Sequence, residues 1–254
     1  MARATSEAAE EVLALNQLGV VAERRGALKD GADHYRRALD LQHQTGEGPE
    51  PALLLANLAG AERKCGHLEA ADDCARRATD LVDPLQNPAV AAAAWLERGR
   101  VEIAQGKADA GQSSLGAAAD LFARSGDRQP EARVRLELGR ALLAAGHAKA
   151  AIPQLARAQE SFAPSAHGAV RPIEAIDALV ALAEAFERLG QAANAITFRE
   201  RAIDAARDIA DSVRRRELLG SAIAAALALG RDDLVKTWRI ELARIERAES
   251  PPDR

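Results

Sequence analysis

The sequence predicts an all-α chain, a solenoid of about six antiparallel helix pairs. Three observations carry this. Hydrophobic residues make up 48% of the 254 residues but aromatics only 3%, with alanine and leucine dominant; that bias favours closely packed helices over a sheet rich in Val, Ile, Tyr and Phe. Glycines recur at Gly26, Gly66, Gly106, Gly146, Gly190 and Gly230, at intervals of 40, 40, 40, 44 and 40. Other positions keep step with them. Ala38, Ala78, Ala118, Ala158, Ala202 and Leu242 lie twelve residues after a glycine, and Gly19, Ala59, Gly99, Gly139, Ala183 and Ile223 lie seven before one. A fixed period of this length marks a repeat architecture, in which no unit buries its apolar face alone.

Residues 1–11 read as a lead-in. A single array follows over 12–248, with units at about 12–51, 52–91, 92–131, 132–175, 176–215 and 216–248, and 249–254 reads as a disordered tail. Each unit is helix, tight turn, helix and a longer joint. Apolar residues recur at helical spacing in the first helices, as in Leu15, Leu18 and Ala22 or Leu179, Leu182 and Phe186, and in the second, as in Tyr35, Ala38 and Leu41. The turn glycine supplies the left-handed backbone that a very short connection needs. Gly19, Gly99 and Gly139 let partner helices approach closely. The joints Gln44–Pro51, Asp83–Pro88, Ser125–Pro130 and Pro164–Pro172 carry helix-stopping Gly and Pro. The fifth joint, near Asp208–Val213, has neither. Phe122 and Phe162, forty apart, read as anchors of the repeat core.

The stretches LERGRVEIAQGKADAG (Leu96–Gly111) and LELGRALLAAGHAKAA (Leu136–Ala151) align without a gap. Gly99, Gly106 and Lys107 superficially suggest a phosphate loop, but the glycine spacing is wrong and Ala108 stands where a Walker motif has Ser or Thr. His34, His43, His67, His147 and His167 form no close ligand pair. Cys65 and Cys74 straddle a turn and read as small packing residues. Catalytic constellations are absent, so the sequence predicts a non-enzymatic protein without cofactor or metal.

The units resemble tetratricopeptide repeats. Trp95 and Gly99 in the third unit carry the likeness, as do Leu18, Gly19, Gly31, Tyr35 and Ala38 in the first. So do Leu138, Gly139, Leu142, Ala151, Leu155 and Ala158 in the fourth, and Leu182, Phe186, Ala195 and Ala202 in the fifth. The period of about 40, with LNQLGVVAERRG (Leu15–Gly26) and LANLAGAERKCG (Leu55–Gly66), is similar to the long-helix variety of kinesin light chains, Pins-type adaptors and bacterial signalling ATPases. The sixth unit, with Ile223, Val235 and Leu242, departs most and reads as degenerate or capping. The resemblance implies a right-handed superhelix with a concave groove, lined by the first helices, that binds a protein or peptide segment.

Groove positions are Asn16, Val20, Glu23 and Arg24; Leu53, Asn57, Gly60 and Lys64; Glu97, Arg100 and Ile103; Arg133, Glu137, Arg140 and Leu143; and Asp177, Glu184 and Glu187. Six of these are the candidate ligand contacts: Asn16, Asn57, Lys64, Arg100, Arg133 and Arg140. An amide both donates and accepts, so Asn16 and Asn57 either hold a ligand backbone or tie neighbouring helices together. Arg100 and Arg140 either receive a carboxylate or pair along their own helices with Glu97 and Glu137. The chaperone-tail carboxylate clamp of some such adaptors is not expected, since only Asn57 fits its pattern. An alternative is a ligand-responsive sensor module of a bacterial regulator, of peptide-pheromone or signalling-ATPase type, detached from its effector.

Other partner classes lack support. The net charge of −4, with acids and bases mixed, argues against nucleic acid, and the short run Arg214–Arg216 reads as a solvated helix start. The longest apolar run, Ala222–Gly230, is too short for a bilayer, and the N-terminus lacks an apolar leader. Without a disulfide framework, the expectation is a cytoplasmic protein. The Arg and Ala preference suggests a bacterial source. No oligomeric state follows, although a weak sixth unit offers an apolar end for self-association.

Overall fold

A computed structural model describes residues 2–162, 173–207 and 211–249. Among the described residues the chain forms twelve helices and no strands. They are α1 (Ala2–Arg24), α2 (Leu28–Thr45), α3 (Pro51–Cys65), α4 (Leu68–Leu81), α5 (Pro88–Ala104), α6 (Ala108–Ser125), α7 (Arg128–Ala144), α8 (Ala148–Phe162), α9 (Ile173–Arg188), α10 (Ala192–Ala206), α11 (Ser212–Ala228) and α12 (Asp232–Glu249). The joint Pro164–Pro172, His167, and residues 250–254 of the expected tail lie outside the described residues. So do residues 208–210 of the fifth joint. Residues 2–11, read as a lead-in, are helical and continuous with the first unit.

All six periodic glycines have φ between 66° and 85°, the left-handed region that glycine enters without strain. At Gly66 the amide bonds back to the carbonyls of α3. Pro51 and Pro88 open α3 and α5 at their first positions, where the missing N–H leaves no helical bond unmade. Asn87 accepts from the Val90 amide at 3.3 Å, and Asp211 caps α11 by accepting from the Arg214 amide at 3.0 Å. The joint prolines therefore start helices as well as stop them.

The chain divides into two compact units, residues 1–134 and 135–254. In the first, α1 packs on α2, α3 on α4 and α5 on α6. Small residues set the spacing inside each pair. A Cβ added to Gly111 would lie 2.8 Å from the Gly99 carbonyl oxygen, and one on Gly19 would strike the Tyr35 ring. In register these are the seventh position before the turn glycine and the fifth after it: Gly19/Gly31, Ala59/Ala71, Gly99/Gly111, Gly139/Ala151, Ala183/Ala195 and Ile223/Val235. Ala38, Ala78, Ala118, Ala158 and Ala202 are all buried. Phe122 and Phe162 are buried near the ends of α6 and α8.

In the second unit α9 packs on α10 and α11 on α12, and Arg135 of α7 donates to Gln154 of α8 at 2.8 Å. Ile176, Leu179, Ala202, Ala205, Ala206 and Leu218 form one core cluster. Trp238, Ile245 and Val235 of α12 close another with Ile196, Ile203, Leu219 and Ile223. The last pair is thus filled by bulky side chains where earlier pairs use glycine or alanine.

Two expectations are corrected. Leu18 is 49% exposed: the packing stripe of α1 runs through Val12, Leu15 and Gly19, and Leu18 falls beside it. Leu143, expected in the groove, is 3% exposed and belongs to the core, with its carbonyl accepting from Arg188.

The close contact makes a test with opposite signs on one helix. Gly111→Ala should destabilise by about 1–3 kcal/mol, because the methyl meets backbone. Gly116→Ala, with nothing within 4 Å of its new Cβ, should stabilise by about 1 kcal/mol through helix propensity. Urea unfolding of both variants checks this; a gain at Gly111 would refute the packing assignment.

Candidate functional site

The first helices of residues 1–134 enclose a cavity of about 330 Å³. α1 contributes Val20, Glu23 and Arg24; α3 contributes Ala56, Asn57, Gly60 and Lys64; Tyr35 of α2 and Glu97 of α5 complete it. Seven of these nine were readable as groove positions from the repeat register. The spacing follows from helix geometry: residues three and four apart share a face, and the opposite face of each helix packs into its pair.

Polar groups converge in the cavity. The Lys64 ammonium pairs with the Glu23 carboxylate, which also accepts a hydrogen bond from the Tyr35 hydroxyl. Burial first, then the neighbouring Glu23 charge and this bond, raise the Tyr35 phenol well above its ordinary value. Asn57 Nδ2 donates to Asn16 Oδ1 at 2.9 Å. Asn16 is only 6% exposed, so this pair ties α1 to α3 while Asn57 still lines the cavity. Glu97 accepts from Arg100 on its own helix at 2.5 Å and from Arg63 of α3 at 3.4 Å. Arg24 is exposed, with no ion pair among the described residues.

The six candidate residues therefore separate. Asn57 and Lys64 line the cavity. Asn16 braces Asn57 from behind. Arg100 braces Glu97 and is not part of the lining. Arg133 is exposed and also makes contacts of its own. Arg140, in the second unit, pairs with Asp177 at 3.0 Å, and Asp177 also receives Arg214. Tyr35, read only as a packing residue, is the lining group that the repeat pattern concealed. Its one signal was being the chain's single tyrosine.

A second cavity, of about 500 Å³, lies within residues 135–254 and occupies the same repeat register. Glu187 stands where Glu23 does, Arg199 for Tyr35, Ser221 for Asn57, Ala224 for Gly60 and Ala228 for Lys64. Arg199 grips Glu187 with two bonds, of 2.6 and 3.0 Å, and donates to Ser221 at 3.1 Å. With the carboxylate so neutralised and Ala225 and Leu229 beside it, this wall is mainly apolar. The same register thus carries two different chemistries.

Cys65 and Cys74 are free thiols, and burial pushes the Cys74 thiol up, away from the reactive thiolate. Among the described residues no helix is long and apolar enough to cross a membrane.

Tyr35→Phe isolates the hydroxyl, since the ring against Gly19 remains. Loss of the bond to Glu23 should cost about 1 kcal/mol at neutral pH. The raised folded-state value means the native protein holds this proton more tightly than the unfolded chain does. Its contribution is therefore complete below the ordinary tyrosine range near 10 and declines as pH rises beyond it. The difference in unfolding free energy between wild type and variant should accordingly shrink above about pH 10; a difference that grows there would contradict the assignment.

No protein-family model matches the sequence, and no curated protein does either. Solved structures do match in fold. A signal transduction ATPase with numerous domains from Pyrococcus horikoshii, which carries a tetratricopeptide repeat sensor, is 15% identical, with a TM-score of 0.76 over 98% of this chain. The chain spans 38% of that protein's length. The apo form of RapI is 16% identical, with a TM-score of 0.70 over 92% of this chain and 84% of its own. BtubC (BKLC) from P. vanneervenii is 15% identical, with a TM-score of 0.64 over 96% of this chain and 94% of its own. The glycine register, the small-residue helix contacts and these likenesses agree: the chain has the fold of the tetratricopeptide-repeat proteins.

Proposed function

We propose that the protein is a non-enzymatic scaffold that holds a segment of a protein or peptide partner against the first helices of residues 1–134. The observation that supports this most is the lined cavity. Asn57 offers an amide, Lys64 and Glu23 a neutral pair, and Arg24 a cation with no carboxylate of its own among the described residues. An amide beside a charge-balanced pair suits the backbone of an extended segment, which needs donors and acceptors together. The exposed Arg24 adds a place for an acidic side chain.

A photo-crosslinking amino acid at Val20 should capture one defined partner segment from the native source. The same group at Leu85, in the α4–α5 joint and 86% exposed, should not. Arg24→Glu should weaken that partner about tenfold while leaving thermal unfolding unchanged. Equal capture at both positions would remove the groove from the proposal.

A second reading is favoured by the likeness over nearly the whole chain to the sensor-bearing ATPase. In it the same groove serves as a ligand-responsive module, and binding changes the pitch of the helix stack. Small-angle scattering with the captured segment separates the two: an unchanged profile at saturation leaves only the scaffold.

A further inference from the structure

A third cavity, of about 530 Å³, lies away from the register of the other two, where the end of α10 and the start of α11 meet the middle of α12. Its walls are Arg207, Arg215, Thr237, Ile240, Glu241, Arg244 and Ile245. The volume falls in the range of small-ligand sites. Three guanidinium groups share it with one carboxylate. Arg207 is engaged, by Asp204 at 3.1 Å and by Glu241 at 3.6 Å. Arg215 and Arg244 have no carboxylate partner among the described residues. Arg215 is half-buried and also lines an adjoining narrower space with Glu241, Ile203, Leu218 and Leu219. Ile240, beside them, is 55% exposed.

With Glu241 answering Arg207, the cavity keeps an excess of two positive charges, one of them partly withdrawn from water, which an entering anion would offset. A single carboxylate answers one guanidinium fork. A phosphoryl dianion carries the matching charge and enough acceptor oxygens for both. The exposed isoleucine supplies an apolar wall next to that charge. We infer that this cavity binds a phosphoryl group carried beside an apolar moiety, with Arg215 and Arg244 as its anion contacts and Ile240 as its apolar contact. This site does not depend on the groove reading for residues 1–134, and neither result decides the other.

Calorimetric titration with phenyl phosphate, inorganic phosphate and benzoate tests the assignment. Phenyl phosphate should bind saturably, more tightly than inorganic phosphate and at least about tenfold more tightly than benzoate. The double variant Arg215→Gln/Arg244→Gln should lose about tenfold or more of that affinity with an unchanged circular dichroism melt. Lys64→Gln should retain it. A phosphoserine peptide flanked by leucines identifies the source: tighter binding than phenyl phosphate assigns the site to a phosphorylated partner, and weaker binding to a free phosphomonoester. Absence of saturation, benzoate equal to phenyl phosphate, or full binding by a folded double variant would each overturn the inference.

Discussion

Everything in this protein depends on how closely the two helices of a pair approach. In the α5–α6 pair the contact is made by backbone: the Gly99 carbonyl and the Gly111 α-carbon leave no space for a methyl group. Dispersion between surfaces this close compensates for the lack of large aromatic side chains, and it explains a core built largely of alanine and leucine. The turn glycines are a separate requirement. Their added Cβ atoms would meet nothing within 4 Å, so they are kept for their left-handed backbone. One residue type therefore serves two physical purposes: close contact at the two positions flanking the turn, and left-handed backbone at the turn itself.

With packing assigned to small residues, the remaining faces of the first helices are free to carry polar chemistry. Much of it joins successive first helices. Lys64 reaches Glu23, Arg63 reaches Glu97, and Asn57 reaches Asn16. In the second unit Arg140 and Arg214 both reach Asp177. Individually such partly exposed pairs contribute little, about 0–1 kcal/mol. Their effect is geometric, since each ties one first helix to the next, and the Lys64–Glu23 and Asn57–Asn16 pairs do so at the cavity of residues 1–134. Tyr35 adds a hydroxyl from the second helix, so the site is held from two directions.

The sequence made the periodic features legible because periodicity reports backbone geometry directly. The six turn glycines and the buried alanines at 38, 78, 118, 158 and 202 followed from register alone, as did most of the cavity lining. Leu18 and Leu143 were misplaced because an apolar side chain next to the packing stripe looks the same in sequence whether it falls inside or outside. The choice between ligand contact and helix brace for Asn16, Asn57, Arg100 and Arg140 was not legible at all. Both roles need the same residue type at the same spacing, and only the partner atom distinguishes them. The arginine cavity was hidden for another reason: its residues come from α11, α12 and Arg207 just past α10, and lie outside the register of the other two cavities.

The glycine-to-glycine contacts also bear on how quickly the chain reaches this structure. Gly19 meets Gly31 and Gly99 meets Gly111 across only twelve positions of sequence. Closing so short a loop costs little entropy, and contacts this local are associated with rapid folding. Any helix pair with its small residues in place can serve as a nucleus, with neighbours added by stacking. The final pair, which meets through Ile223 and Val235 instead, has the same short loop but must sort bulky side chains as it closes, which suits it to forming on a neighbour already in place.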